Sequence, residues 1–181
     1  MLCSKKEFDE RIGSILITAE EIKEKIKKAG EYISREYEGK PLLLLSILNG
    51  SFVFAADLCR EVTIPCEIGF MRVSSYLNGT SSSGDVNIIM DVSQDISGYH
   101  VVIAEDIIDT GRTLSVITEK LRRRNPLSLK VVTLLDKPER REVDFKADIS
   151  LFTIPDLFVA GYGLDCAEYY RNLPYIAVCN V

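Results

Sequence analysis

The 181-residue chain has no tryptophan and a single histidine, His100. One histidine without a cysteine cluster beside it excludes Ser-His-Asp triads, HExxH zinc sites and most imidazole acid–base schemes. Carboxylates or lysines must therefore carry any proton chemistry. The five cysteines, Cys3, Cys59, Cys66, Cys166 and Cys179, include no CxxC pair. Their odd number, behind a charged start with no apolar signal run, reads as free thiols in a reduced, cytoplasmic protein. No apolar run approaches the roughly 20 residues of a membrane helix, so no membrane partner is expected. No GxxxxGK[ST] pattern is present, and Gly161-Tyr162-Gly163 lacks the third glycine and the helix of a dinucleotide fingerprint. A net charge of -5 argues against a nucleic-acid binder, which needs a basic face. The one basic cluster, Arg122-Arg123-Arg124 with Lys130 nearby, reads as a solvated helix end complementing the helix dipole.

Apolar residues make up 46% of the chain, enough for the core of one domain of ordinary size. Apolar residues at Ala19, Ile22, Ile26, Ala29, Ile33 and Tyr37 predict a helix over 17–37, with Thr18 and Glu21 as a capping box. Glu21–Lys25 and Glu24–Lys28 are spaced as favourable pairs on its wet side. Short continuous apolar runs over 42–48, 101–105 and 129–135 read as strands buried on both faces. Helices are expected over 52–62 and 113–124, and further strands over 64–73 and 86–92. The Ser/Gly-rich stretch 74–85 reads as a mobile loop. Strand-like pieces near 149–154, 158–161 and 176–178 are expected to lie partly outside the main sheet. Strand–helix alternation with short turns points to an open, mostly parallel α/β sheet flanked by helices.

In such sheets ligands bind beyond the carboxyl ends of the strands. The first run delivers Asn49, Gly50 and Ser51; the third delivers Asp136 and Lys137. The middle run is the informative one. Thr110-Gly111-Arg112-Thr113 opens a helix, where free N–H groups, two hydroxyls and a guanidinium make an anion cup that Gly111 lets a phosphate approach. Upstream stand the adjacent acids Glu105 and Asp106, suited to sugar hydroxyls or a hard cation. Acids beside a phosphate cup suit a phosphorylated ribose and would repel a lone phosphate.

The segment VVIAEDIIDTGRTL resembles the phosphoribosyl pyrophosphate motif of type I phosphoribosyltransferases, and EDIIDTG resembles the hypoxanthine–guanine branch in particular. The likeness runs from about Ile17 to the end of the chain, through SILNGSFVFAADL, VSSYLNGTSSSGDV, LLDKP and PDLFVAGYGLDCAEYYRNLPYI. It implies one domain over 1–181, with a core of about 18–150 and a small hood from about 1–17 and 151–181. It implies magnesium-dependent transfer of phosphoribose from phosphoribosyl pyrophosphate to hypoxanthine or guanine, with inversion at C1, by a homodimer or homotetramer.

By the same resemblance, Glu105 and Asp106 hold the ribose hydroxyls and one magnesium, and Asp109, Thr110, Gly111, Arg112 and Thr113 cradle the 5′-phosphate. Asp109 also handles the purine N7 proton. Lys137 recognises the 6-oxo group, Phe158 stacks on the base and Val159 lies at its edge. Asp165 lines the purine pocket and ligates a second magnesium. Asn49, Gly50 and Arg171 contact pyrophosphate, and Ser74, Ser75 and Tyr76 belong to a loop that closes over the site. Many relatives carry a lysine or arginine where Asn49 stands, which shifts pyrophosphate binding towards backbone N–H groups, magnesium and Arg171. In the family the Leu48–Asn49 peptide is often cis. Two other readings stand beside this one. One is a regulator on the same fold that senses nucleotides and binds nucleic acid. The other is a sibling transferase for adenine, orotate or uracil; Lys137 argues against adenine, because a cation pairs poorly with an exocyclic amine.

Overall fold

The computed structural model describes residues 10–75 and 86–180. Among them, nine strands form two sheets. The main sheet has the order β4-β3-β2-β5-β6-β7. Its strands β2 (Leu42–Leu48), β3 (Glu67–Ser75), β5 (His100–Ile108), β6 (Ser128–Asp136) and β7 (Ile149–Thr153) run parallel. The edge strand β4 (Val86–Met90) pairs antiparallel with β3. A small antiparallel sheet joins β1 (Ile12–Ile17), β9 (Ile176–Cys179) and β8 (Val159–Ala160).

The central strands are apolar on both faces because helices cover both. On one face, helices α1 (Ala19–Glu36) and α2 (Phe52–Glu61) bury Ile22, Ile26, Ile33, Phe54 and Leu58 against Leu42, Leu44 and Val102. On the other face, α3 (Arg112–Arg122) packs Leu114, Ile117 and Leu121 against Leu43, Leu45 and Ile103. Alternate residues of one strand thus enter opposite cores, as the two-residue period of a strand requires.

The capping box forms: the Glu21 N–H donates to Thr18 Oγ1 at 3.3 Å, and the Thr18 N–H donates to Glu21 Oε2 at 2.9 Å. Helix α1 accordingly starts at Ala19, and Ile17 belongs to β1. Glu24 and Lys28 pair at 2.6 Å. Glu21 uses its carboxylate in the cap instead, and the Lys25 ammonium lies over the Phe152 ring.

Several boundaries differ from the sequence reading. Strand β5 runs through Glu105 and Asp106 to Ile108, because continued pairing with β6 outweighs the polarity of the acids. Strand β3 includes Ser74 and Ser75, paired opposite Asn87 and Val86 of β4, so the loop expected from Ser74 starts later. Tyr76 lies outside the described residues. Of the three C-terminal pieces, Ile149–Thr153 completes the main sheet, and only β8 and β9 leave it. The basic cluster disperses: Arg123 pairs with Glu119, Arg124 with Asp91, and Lys130 with Glu36.

One cysteine expectation is corrected. Cys166 and Cys179 are joined as a disulfide with Cα atoms 6.8 Å apart, while Cys59 and Cys66 are free. The pair is 13 residues apart in sequence with no motif spacing, and it meets because β9 returns alongside the loop that carries Cys166. No helix of the described residues is long and apolar enough to cross a membrane.

Helix α1 crosses the end of α2 at Gly30, where an added Cβ would lie 2.5 Å from Glu61 Cβ and 2.6 Å from the Glu61 carbonyl oxygen. Ser34 locks the same crossing, donating to the Gly30 carbonyl and accepting the Thr63 N–H. By helix propensity alone Gly30→Ala gains about 1 kcal/mol. The overlap with backbone reverses the sign, and a net loss of about 1–3 kcal/mol is expected. An unchanged or higher melting temperature for this variant would refute the close crossing.

Candidate active site

The site is assembled at the carboxyl ends of β2, β5 and β6. Each strand is held in register by its neighbour, so the polar residues that follow it arrive together. Strand β5 contributes Glu105 and Asp106. Burial, and then the adjacent Asp106 carboxylate, push the Glu105 carboxyl well above the usual range. Its Oε2 is buried without a hydrogen-bond partner among the described residues. Burial raises Asp106 to about 6, opposed by the Ile107 N–H, its own N–H and the charge of Arg171. Two carboxyls are thus held where ionising them is costly unless a cation or several donors join them.

The chain then turns through Gly111, whose φ of +81° is left-handed, and α3 starts with no side-chain cap. The free N–H groups of its first turn remain available to an anion. The Thr110 hydroxyl accepts the Arg112 N–H at 3.3 Å. Arg112, expected in the cup, pairs with Glu142 at 2.6 Å.

Asp109 stands between the acids and the cup. Arg140 Nε is 2.8 Å from its Oδ1 but off the N–H axis, so that oxygen has a charge partner and no hydrogen bond. Arg140 also reaches Asp156 at 3.6 Å. Arg141 donates to the Asp109 carbonyl at 2.6 Å and pairs with Asp136, which fixes the backbone of Asp109 to the end of β6. The sequence reading missed Arg140 and Arg141. The available signal was two adjacent arginines a few residues beyond LLDKP, in a segment facing an acid-rich strand end.

Lys137 follows β6, tied to β5 by its N–H to the Ile108 carbonyl at 2.9 Å. Its side chain is only 6% exposed and pairs with no carboxylate among the described residues. A buried cation without a protein counter-charge suits an acceptor brought by a ligand. Phe158 is 49% exposed although large and apolar, and Val159 beside it is buried in β8.

The loop after β2 has a cis peptide at Leu48–Asn49. Asp106 Oδ2 lies against Gly50, only 1.5 Å from where a Cβ would stand. Ser51 is buried, bonding Ser46 and the Ile47 carbonyl, and it anchors the start of α2. Arg171 pairs with Asp165 at 2.9 Å and donates to the Gly163 carbonyl at 2.9 Å. The second Asp165 oxygen accepts the Glu168 N–H. Asn49, Gly50, Asp106 and Arg171 are thus drawn together, whereas Ser74 and Ser75 stand at the β3–β4 end of the sheet.

A parallel sheet with buried acids leading into an uncapped helix start at a left-handed glycine is the architecture of a sugar-phosphate transferase. The chain belongs to the phosphoribosyl transferase family, whose phosphoribosyl transferase domain matches residues 14–167. The hypoxanthine-guanine phosphoribosyltransferase of Lactococcus lactis subsp. lactis is 51% identical over 173 residues, covering 96% of this chain and 94% of the relative. The hypoxanthine phosphoribosyltransferase of Salmonella typhimurium is 50% identical over 164 residues, covering 90% of this chain and 92% of the relative. A crystal structure of a hypoxanthine phosphoribosyltransferase from Staphylococcus aureus matches with a TM-score of 0.91 at 46% identity, covering 96% of this chain and 94% of that one.

The acid pair has a consequence for stability. The folded protein keeps the Asp106 proton up to about pH 6, whereas the unfolded chain releases it near pH 4. The folded state binds more protons in that window, so stability falls as pH rises through it and stays lower above it. Asp106→Asn is expected to melt higher than the parent at pH 7 in chelator, with the difference shrinking towards pH 4. Thermal melts across that range decide the matter, and a constant difference at all pH values would contradict it.

Proposed function

We propose that the chain transfers the 5-phosphoribosyl group of phosphoribosyl pyrophosphate to N9 of hypoxanthine or guanine, giving IMP or GMP and pyrophosphate, as a cytoplasmic purine-salvage enzyme. The observation that carries this reading is the partly buried Glu105–Asp106 pair leading into the uncapped helix start at Gly111, with Lys137 buried at the end of the adjacent strand.

The 5′-phosphate sits on the free N–H groups at the start of α3, with Thr110, Arg112 and Thr113 around it. Glu105 and Asp106 accept from the ribose 2′- and 3′-hydroxyls. They would also hold a magnesium ion, through those hydroxyls or water, and Asp165 would hold a second. The residues fit that ion, since Glu105 Oε2 is buried without a hydrogen-bond partner among the described residues and a cation would offset the burial that raises both carboxyls. Magnesium, when bound, supplies Lewis acidity that neutralises the departing pyrophosphate.

As the bond from C1 to pyrophosphate breaks, positive charge develops on the ribose, and the three acids Glu105, Asp106 and Asp109 are signed to stabilise it. The purine stacks on Phe158 with its edge at Val159, and Lys137 donates to the 6-oxo oxygen. N9 attacks C1 from the opposite side while the Asp109 carboxylate takes up the N7 proton. The Coulombic contact of Arg140 with Asp109 can be exchanged for that proton, because no directed hydrogen bond has to break. Asn49, Gly50 and Arg171 receive the pyrophosphate. Ser74, Ser75 and Tyr76 belong to the segment that closes over the site and keeps water from the ribose. The chain works as one domain and assembles as a homodimer or homotetramer; the exposed Ile68, Phe70 and Met90 on one face of β3 and β4 support association with further copies.

An acceptor panel of hypoxanthine, guanine, xanthine and adenine, with phosphoribosyl pyrophosphate and magnesium, tests the function. The parent is expected to turn over the first two, and Lys137→Ala to lose its preference for hypoxanthine over adenine by about tenfold or more, the scale of one buried charged hydrogen bond. An unchanged ratio would remove Lys137 from recognition. Asp109→Asn is expected to lower kcat by about two decades or more, as loss of a general base does. Near-parental turnover would take that role from Asp109.

A further inference from the structure

Tyr162 has no part in the chemistry above, yet its environment is unusual. It is a non-glycine residue at φ +52°, in the left-handed region, and its ring is 7% exposed. A bulky residue persists in that conformation only when its surroundings over-determine it. Its N–H donates to the Leu173 carbonyl at 2.8 Å, and its hydroxyl donates to Asp57 Oδ2 on α2. The other Asp57 oxygen is held by Arg60 at 2.5 Å. Burial, and then the Asp57 bond, push the phenol above its usual range, so it stays a donor.

The next residue meets the loop after β2. An added Cβ on Gly163 would lie 2.1 Å from the Gly50 carbonyl oxygen, so the two backbones are in direct contact. Gly163 also exchanges two hydrogen bonds with Arg171, its N–H to the Arg171 carbonyl and its carbonyl from the guanidinium, each at 2.9 Å. Gly50 rests in turn on the Asp106 carboxylate. A packed series therefore runs from Asp57 through Tyr162, Gly163 and Gly50 to Asp106. The Tyr162–Asp57 bond stands between cavities of about 300 and 590 Å³, both of which touch these two side chains. The ring is packed in the hydrophobic core, and the hydroxyl adds a directed contact that ties it to α2.

We propose that Tyr162 is a positioning residue for the pyrophosphate half of the substrate: its bond to Asp57 holds Gly163 on the Gly50 carbonyl and thereby fixes Asn49, Gly50 and Arg171 relative to Asp106. This rests on the reading of Asn49, Gly50 and Arg171 as the pyrophosphate contacts. The effect is expected on the phosphoribosyl pyrophosphate side, because the series ends on Gly50 and Asp106, whereas Lys137 stands at the end of β6 and Phe158 precedes β8.

The test is steady-state kinetics on Tyr162→Phe, Asp57→Asn, Asp57→Ala and Arg171→Ala, with melting temperatures measured in parallel. Tyr162→Phe is expected to raise the KM for phosphoribosyl pyrophosphate, and the inhibition constant of inorganic pyrophosphate, about three- to tenfold. The KM for hypoxanthine and kcat are expected to stay within about twofold. Asp57→Asn keeps an oxygen acceptor for the phenol and is expected to be milder than Asp57→Ala, a comparison that stands even if Tyr162→Phe folds poorly. A parental KM for phosphoribosyl pyrophosphate in Tyr162→Phe, with a raised one in Arg171→Ala, would overturn the tether. If neither variant changed it, the pyrophosphate assignment itself would be at fault. A proportional rise in both KM values would also overturn the proposal, since general loosening does not choose between substrates.

Discussion

Two adjacent, partly buried carboxyls at the end of a central strand are the constraint on which the rest of this structure depends. Glu105 and Asp106 stay in β5 because pairing with β6 continues past Ala104, where pairing with β2 ends, so their desolvation is imposed by the sheet. The surroundings answer that cost in different ways. Asp106 takes the Ile107 N–H and the field of Arg171, while one Glu105 oxygen has no partner within the described residues. In the proposed reaction, a substrate rich in hydroxyls with a divalent cation would supply what these residues lack. Binding energy can then be directed at groups pre-set for the reacting ribose.

The remaining charges are arranged to keep this acid-rich corner usable. Asp136 and Arg141 form a partly buried pair that fixes the backbone of Asp109 without occupying its carboxylate. Arg140 faces that carboxylate at contact distance but off axis. A directed, desolvated bond there would have to be broken before the purine could engage. On the opposite side, Arg171 is shared among Asp165, Glu168 and the Gly163 carbonyl. Several partners at once hold that cation in place on the side of Asp106. Electrostatics and backbone packing thus do separate work: charges tune the acids, and glycine contacts set the spacing of the loops.

Much of this was legible in the sequence, and the reasons differ by element. The fully apolar runs of β2, β5 and β6, the capping box of α1 and the Thr-Gly-Arg-Thr helix start are local signals, and each appears where its chemistry requires. Boundaries were less legible, because pairing with a neighbour carried β5 and β3 into polar residues that local propensity assigns to loops. The pairing of Arg112 with Glu142 was hidden, since the two meet only when the segment after β6 folds back over α3. The same holds for Arg140 on Asp109 and for the Cys166–Cys179 link. No spacing rule connects residues whose distance is set by how sheets close.

By itself, then, the sequence determined the parallel α/β class, the acid pair, the Thr-Gly-Arg-Thr helix start and the lysine that follows β6, because each is written in contiguous residues with a local physical cause. Only the tertiary structure decided which charges face one another, that Gly50 lies on Asp106 and under Gly163, and that Tyr162 reaches Asp57 across 105 residues of chain. Those contacts depend on the hood sheet returning to the main sheet, and a long-range approach of backbones leaves no trace in sequence beyond a glycine where a side chain would not fit.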